Sequence, residues 1–131
     1  MTLLDTSVWV EYLRGTGSAE CLRVREMIEN GDSIATCDVV IMELLAGTRT
    51  GKEWDAIWAL MNRCRMLPVR PLFDYELAAR LYRHCRASGF TPRATNDLLV
   101  AAVAIGKGVS LLTADDDFER IAEVSPLRLA G

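Results

Sequence analysis

The segment MTLLDTSVWVEYLRG, residues 1–15, indicates a strand followed directly by a helix. Thr2–Leu4 is a short apolar run that ends at Asp5. Val8, Tyr12 and Leu13 then share one helical face before a glycine-rich stretch ends the helix. We therefore expect Asp5 at the carboxyl end of a strand, where open α/β sheets place their ligands.

The same alternation of short apolar runs and longer helical segments continues along the chain. Further strands are predicted at Ser33–Thr36, Met66–Val69, Val109–Thr113 and Leu127–Leu129. Helices are predicted from Ser18 to Ile28, Val39 to Leu45, Lys52 to Cys64, Phe73 to Ser88, from between Pro92 and Asp97 to the glycines after Ile105, and from Asp115 to Ala122. This pattern predicts a single α/β domain spanning residues 1–131, with a central parallel sheet of about five strands in a three-layer arrangement.

Hydropathy and cysteine usage exclude several classes of protein. The longest strongly apolar run, Leu98 to Ile105, is far shorter than the roughly 20 residues of a membrane span. The first residues lack a basic region and include Asp5 and Glu11, so they do not resemble a secretory signal. The four cysteines are widely spaced, which is typical of reduced thiols and not of a zinc site. The sequence predicts a cytoplasmic protein with no membrane segment.

The charges are unevenly distributed. The net charge of −3 argues against a nonspecific nucleic-acid binder, which usually carries a basic surplus. The stretch from Arg49 to Arg93, however, has nine basic and four acidic residues, and the remainder has six basic and fourteen acidic residues. This distribution is compatible with a cationic surface beside an anionic pocket, and also with an ordinary solvated face.

Four acidic positions are candidates for chemistry, although each has a simpler explanation. Asp5 and Asp97 lie where a carboxylate can cap or stabilise a helix start. Glu43 is surrounded by apolar residues in a short helix, so its charge requires a partner or a metal ion. The Asp115–Asp117 run follows a strand, and its charges repel unless they are solvated or bind a cation. If they converge, they form an oxygen-rich site suited to Mg²⁺ or Mn²⁺.

The four segments that contain these acids resemble the acidic motifs of PIN-domain ribonucleases, and in particular the VapC-type toxins of type II toxin–antitoxin systems. The segments are LLDTSVWVEYLRG, VVIMELLAGTR, TNDLLVAAVA and LLTADDDFERIA. The resemblance implies a strand order of 3-2-1-4-5, which sets Asp5 beside Asp115. It also implies that Asp5, Glu43, Asp97 and Asp115 are the catalytic, metal-binding acids. Asp117 matches a less regular acidic position.

Neighbouring residues receive secondary roles by the same resemblance. Thr6 and Thr113 match small hydroxyl positions that could hydrogen-bond the carboxylates, although both could equally be caps. Asp116 is expected to face the solvent. The single histidine, His84, argues against metal-free RNA cleavage, because that mechanism uses a pair of histidines.

The resemblance implies an Mg²⁺- or Mn²⁺-dependent endoribonuclease that cleaves structured RNA, such as tRNA or ribosomal RNA, with a metal-activated water. It further implies a growth-arresting toxin that forms a homodimer and is neutralised by a cognate VapB-type antitoxin. The aromatic residues of two amphipathic segments, Trp9 with Tyr12 and Trp54 with Trp58, are candidates either for the core or for anchoring such a partner.

Two other functions remain as alternatives. An aspartyl-phosphate phosphatase would also use an aspartate after the first strand. Here, however, Asp5-Thr-Ser lacks a second acid two residues on, and Lys107 precedes the fourth strand instead of following it. A noncatalytic PIN-like interaction module is the other alternative, and the presence of all four acids argues against it.

Overall fold

The computed structural model describes residues 1–131 and contains four strands and seven helices. Their order is β1 (Thr2–Leu4), α1 (Thr6–Arg14), α2 (Ala19–Glu29), β2 (Ile34–Thr36), α3 (Asp38–Ala46), α4 (Gly51–Met61), β3 (Arg65–Met66), α5 (Phe73–Ala87), α6 (Thr95–Lys107), β4 (Ser110–Leu112) and α7 (Asp117–Glu123). The prediction of an α/β fold with a helix-flanked parallel sheet is confirmed.

The sheet has the order β3-β2-β1-β4, and all its neighbouring strands are parallel. Leu4 of β1 lies opposite Leu112 of β4, so the carboxyl ends of these two strands coincide. The expected adjacency of the first and fourth strands is therefore confirmed. The fifth strand is reduced to a single parallel bridge between Leu111 and Leu129. The Leu111 amide donates to the Arg128 carbonyl at 2.9 Å, and the Ala130 amide donates to the Leu111 carbonyl at 2.8 Å.

The third strand lies earlier in the chain than the sequence pattern predicts. It comprises Arg65 and Met66 instead of Met66–Val69. The Leu67 amide still donates to the Thr36 carbonyl, at 2.8 Å, and the next amide that would face β2 is that of Val69. The Val69 amide instead donates to the Asp38 carboxylate at 3.0 Å.

Burial separates the two aromatic segments. Trp9 is completely buried beside Leu3, Leu4 and Val8, because β1 and the inner face of α1 form the centre of the core. Trp54 and Trp58 of α4 are 45% and 37% exposed. No helix of the structure has the length and apolar character needed to span a membrane. All four cysteines are free thiols, and three of them are buried.

Candidate metal centre

The acidic residues lie at the carboxyl end of the parallel sheet. Asp5 directly follows β1, and Asp115 and Asp117 follow β4, the neighbouring strand. Asp97 occupies the first turn of α6, and Glu43 occupies α3. All five sequence-predicted acids therefore lie on segments that begin or run at the carboxyl end of the sheet, although they do not take equivalent positions.

Three of the carboxylates form a compact group. Asp97, Asp115 and Asp117 each offer an oxygen such that all three oxygens lie within 4.8 Å of one another, and all three residues are half-buried. The turn between β4 and α7 fixes two of them, because the Asp117 amide donates to Asp115 Oδ1 at 3.0 Å. Asp116 between them is exposed, as expected.

Asp5 is held by hydroxyl groups and not by a cation. It is only 3% exposed, and its Oδ2 accepts hydrogen bonds from Ser7 Oγ at 2.7 Å and Thr113 Oγ1 at 3.1 Å. Burial raises the pKa of Asp5 even though these hydrogen bonds favour its ionised form. Asp5 also caps α1 through a long contact from the Ser7 amide, at 3.4 Å, so the capping explanation holds as well.

Thr113 connects the two sides of the pocket. Its hydroxyl donates to Asp5 and accepts from the Asp115 amide at 3.0 Å. Ser7 Oγ accepts from the Ala114 amide at 2.9 Å, which fixes the same turn. Ser7 was not among the residues predicted from the sequence. Its position, two residues after Asp5 and next to Thr6, was the feature that could have identified it.

Glu43 has one hydrogen-bond donor within the protein. Thr6 Oγ1 donates to Glu43 Oε1 at 2.7 Å. Thr6 follows Asp5, so the first turn of α1 fixes both the Asp5 carboxylate, through Ser7, and the Glu43 carboxylate of α3, through Thr6. Both threonine hydroxyls that the sequence analysis proposed as supports, Thr6 and Thr113, therefore do contact a carboxylate.

Asp97 has the most strongly raised pKa among the acids of the pocket. Its pKa is raised to about 7, first by burial and then by the charges of Asp5, Asp115, Glu43 and Asp117. Every other candidate acid of the site accepts a hydrogen bond from a neighbouring hydroxyl, amide or guanidinium. In the absence of a bound cation, Asp97 is therefore partly protonated near neutral pH.

One cation of the chain already touches the cluster. Arg93, in the segment between α5 and α6, donates from Nε to Asp117 Oδ2 at 2.9 Å, and its Nη2 lies 3.5 Å from Asp115 Oδ1. These carboxylates raise the pKa of the Arg93 guanidinium, Asp117 through its hydrogen bond most of all. Arg93 was not predicted from the sequence, because nothing in the sequence around a loop arginine marks it as a partner of distant acids.

The donor set fits a hard divalent cation. The three clustered side chains supply carboxylate oxygens, which are the ligands that Mg²⁺ and Mn²⁺ prefer, and no histidine or thiol is among them. The group is partly open to solvent, so an ion there would retain positions for water or substrate oxygens. The arrangement can therefore bind a metal ion and present it to a phosphodiester.

Comparisons with known proteins point to a single family. The family model described as PIN domain matches residues 2–124. Ribonuclease VapC11 of Mycobacterium tuberculosis is 39% identical over 132 aligned positions, which cover 100% of this chain and 98% of that protein.

Solved structures show the same fold at lower sequence identity. VapBC2 of Rickettsia felis, bound to a DNA fragment from its promoter, superimposes with a TM-score of 0.76 at 19% identity, covering 98% of this chain and 96% of the other. VapC20 of Mycobacterium tuberculosis, described as a sarcin-ricin loop cleaving toxin, gives a TM-score of 0.66 at 20% identity, covering 98% and 99%.

Proposed function

Because this chain belongs to the PIN-domain family, we propose that it is a divalent-metal-dependent endoribonuclease that acts as the toxin of a toxin–antitoxin pair. The observation that carries the proposal is the group formed by Asp97, Asp115 and Asp117, whose oxygens lie within 4.8 Å of one another. The raised pKa of Asp97 supports it, because a cluster of carboxylates whose charge is only partly compensated favours binding of a cation.

We assign Asp97, Asp115 and Asp117 as direct ligands of an Mg²⁺ or Mn²⁺ ion. Asp5 and Glu43 complete the acidic pocket around them, and their charges act on Asp97. The chemistry that a divalent ion supplies at such a site is activation of a water and neutralisation of charge on the phosphoryl oxygens.

Hydroxyl side chains of this protein orient the carboxylates of the pocket. Ser7 and Thr113 fix the Asp5 carboxylate, and Thr6 fixes that of Glu43, so these groups are preorganised before substrate arrives. No serine, threonine or cysteine of the pocket is needed as a nucleophile. Direct attack by water predicts products with 5′-phosphate and 3′-hydroxyl ends.

We propose structured RNA, either tRNA or ribosomal RNA, as the substrate class. VapC11 is named a ribonuclease and VapC20 is described as cleaving the sarcin-ricin loop, and both support this class. Because the substrate is cellular RNA, we place the activity in the cytoplasm. The whole of residues 1–131 is proposed to act as one nuclease domain.

The test of the reaction uses purified protein treated with EDTA and then dialysed. Cleavage of total tRNA and rRNA should be absent and should return with Mg²⁺ or Mn²⁺, leaving 5′-phosphate ends. Cleavage that persists in excess EDTA, or 2′,3′-cyclic phosphate ends, would contradict the metal-dependent mechanism. Sequencing the RNA ends after induced expression then identifies the target.

We also propose a VapB-type antitoxin as a partner. The VapBC2 structure is a complex of such a pair. In this chain an apolar groove of about 520 Å³ lies between α3 and α4, and Met42, Trp54, Trp58 and Met66 line it while remaining exposed. Exposed tryptophans beside a groove are favoured anchors for a partner helix. Expression alone should arrest growth, and co-expression of the adjacent gene should restore it.

A homodimer is the last part of the proposal, and it rests on the family resemblance. Sedimentation of the purified chain at several concentrations tests it directly. Two copies per particle support the dimer. A chain that stays monomeric at high concentration, and whose expression is harmless with its acids intact, would contradict the toxin assignment even if it cleaved RNA.

A further inference from the structure

Arg93 is the one basic side chain that reaches the acidic cluster from within the chain, through its contacts with Asp117 and Asp115. Both acids are among the three oxygen donors that the proposed function assigns to a metal ion. The guanidinium and a metal ion would therefore share the same carboxylates. Two cations that use the same oxygens compete, because each weakens the attraction felt by the other.

The location of Arg93 makes its side chain easy to release. The side chain is 75% exposed, and exposed ion pairs contribute little stability. Its neighbour Pro92 is buried, so the backbone is anchored while the arginine side chain extends into solvent. A change of rotamer at Arg93 therefore moves the guanidinium without moving the segment that carries it.

A substrate phosphate at the cluster would lie within reach of the same guanidinium. The Arg93 nitrogens are 2.9 and 3.5 Å from oxygens of Asp117 and Asp115, two of the three carboxylates in the cluster. A phosphodiester positioned there brings its oxygens within a few ångströms of those carboxylates. Arginine binds phosphate oxygens through its planar fork of donors, and such contacts position a nucleic acid without reading its sequence.

Building on the proposed nuclease function, we infer that Arg93 is a substrate-binding residue that Asp115 and Asp117 hold at the pocket until a metal ion occupies those carboxylates. In the metal-free protein the guanidinium supplies part of the missing positive charge. Once the ion is bound, the guanidinium turns to a phosphate oxygen of the RNA. Arg93 thereby changes from a counter-ion of the acidic cluster to a contact with the substrate.

The inference makes two opposite predictions for Arg93→Gln. Loss of the competing charge should tighten Mn²⁺ binding about threefold to fivefold, measured by isothermal titration or by the electron paramagnetic resonance signal of free Mn²⁺. Loss of the phosphate contact should raise KM for RNA by a similar factor, with kcat changed less. Arg93→Lys keeps the charge and should bind Mn²⁺ like the wild type.

Arg80→Gln is the matched control, because Arg80 is an exposed arginine of α5 that makes no ion pair with the cluster. It should change neither constant. Mn²⁺ affinity that is unchanged or weaker in Arg93→Gln would overturn the inference, and so would an unchanged KM. If the wild type cleaved RNA but neither constant responded, only this inference would fail. If the wild type bound no Mn²⁺ at all, the proposed function itself would fail.

Discussion

Two aspartates of this protein, Asp74 and Asp97, are removed from bulk water in very different ways. Asp74 in the first turn of α5 is 1% exposed, yet Arg70 surrounds it with donors. The Arg70 amide donates at 2.7 Å, and its guanidinium approaches Asp74 Oδ1 at 2.8 Å. Asp97 in the first turn of α6 is half-buried, and after this burial the charges of four other carboxylates act on it.

The contrast shows how a fold distinguishes structural from chemical acids. The Asp74 charge is satisfied within five residues of chain, so this carboxylate needs nothing from outside the protein. The Asp97 charge is not satisfied within the protein, because burial first and then the charges of the neighbouring carboxylates raise its pKa to about 7. An unbalanced cluster of this kind is costly to keep, and a divalent cation would balance it.

Asp97→Asn should have the largest effect on activity. The amide keeps the shape of the side chain but loses a charged metal ligand, so kcat/KM for RNA should fall about a thousandfold. Circular dichroism should show an unchanged fold. Turnover that is retained in both Asp97→Asn and Asp5→Asn would remove these residues from the site.

Asp74→Asn should have the opposite profile, with a loss of stability and no specific loss of catalysis. The substitution leaves the Arg70 guanidinium without its counter-charge, and because this side chain is 39% exposed the cost should be about 1–2 kcal/mol of unfolding free energy. Urea denaturation measures this cost. Asp55→Asn, on the exposed part of α4, is the matched control and should cost almost nothing. A greater loss of stability in Asp97→Asn than in Asp74→Asn would contradict the claim that Asp74 is the structural acid of the two.

The pH dependence of stability should also reflect Asp97. Its pKa is near 7 in the folded metal-free protein and 3.8 when unperturbed, so the folded state binds more protons between these values. Stability should therefore fall as the pH rises from about 4 to 7 and then level off. Relative to Asp97→Asn, the wild type should lose up to about 4 kcal/mol across this range in EDTA. A pH-independent difference between the two proteins would contradict the raised pKa.

Thr6→Val should have the smallest effect of the series. It removes the hydroxyl that donates to Glu43 at 2.7 Å and keeps the shape of the side chain. Loss of such a supporting hydrogen bond should lower kcat/KM about tenfold. Thr2→Val, at the opposite end of β1, is the control and should retain full activity. Equal activity in the two variants would show that Glu43 needs no fixed orientation.

The sequence predicted most of this fold because short apolar runs and helical periodicity are local signals. It misplaced β3, whose ladder ends where the Val69 amide donates to the Asp38 side chain, and it expected a full fifth strand where only the bridge at Leu129 forms. The acids were predicted from their motifs. Arg93 and the Arg70–Asp74 pair were not, because side-chain partners depend on how loops and helix starts pack in three dimensions.

The position of a bound Mn²⁺ ion in crystals of the protein, located by its anomalous scattering, tests the central claim most directly. The account predicts a strong peak among the Asp97, Asp115 and Asp117 carboxylates, absent from crystals of Asp97→Asn, and no peak at Asp74. A peak elsewhere, or no peak at the cluster at millimolar Mn²⁺, would contradict the claim that this pocket is built for a metal ion.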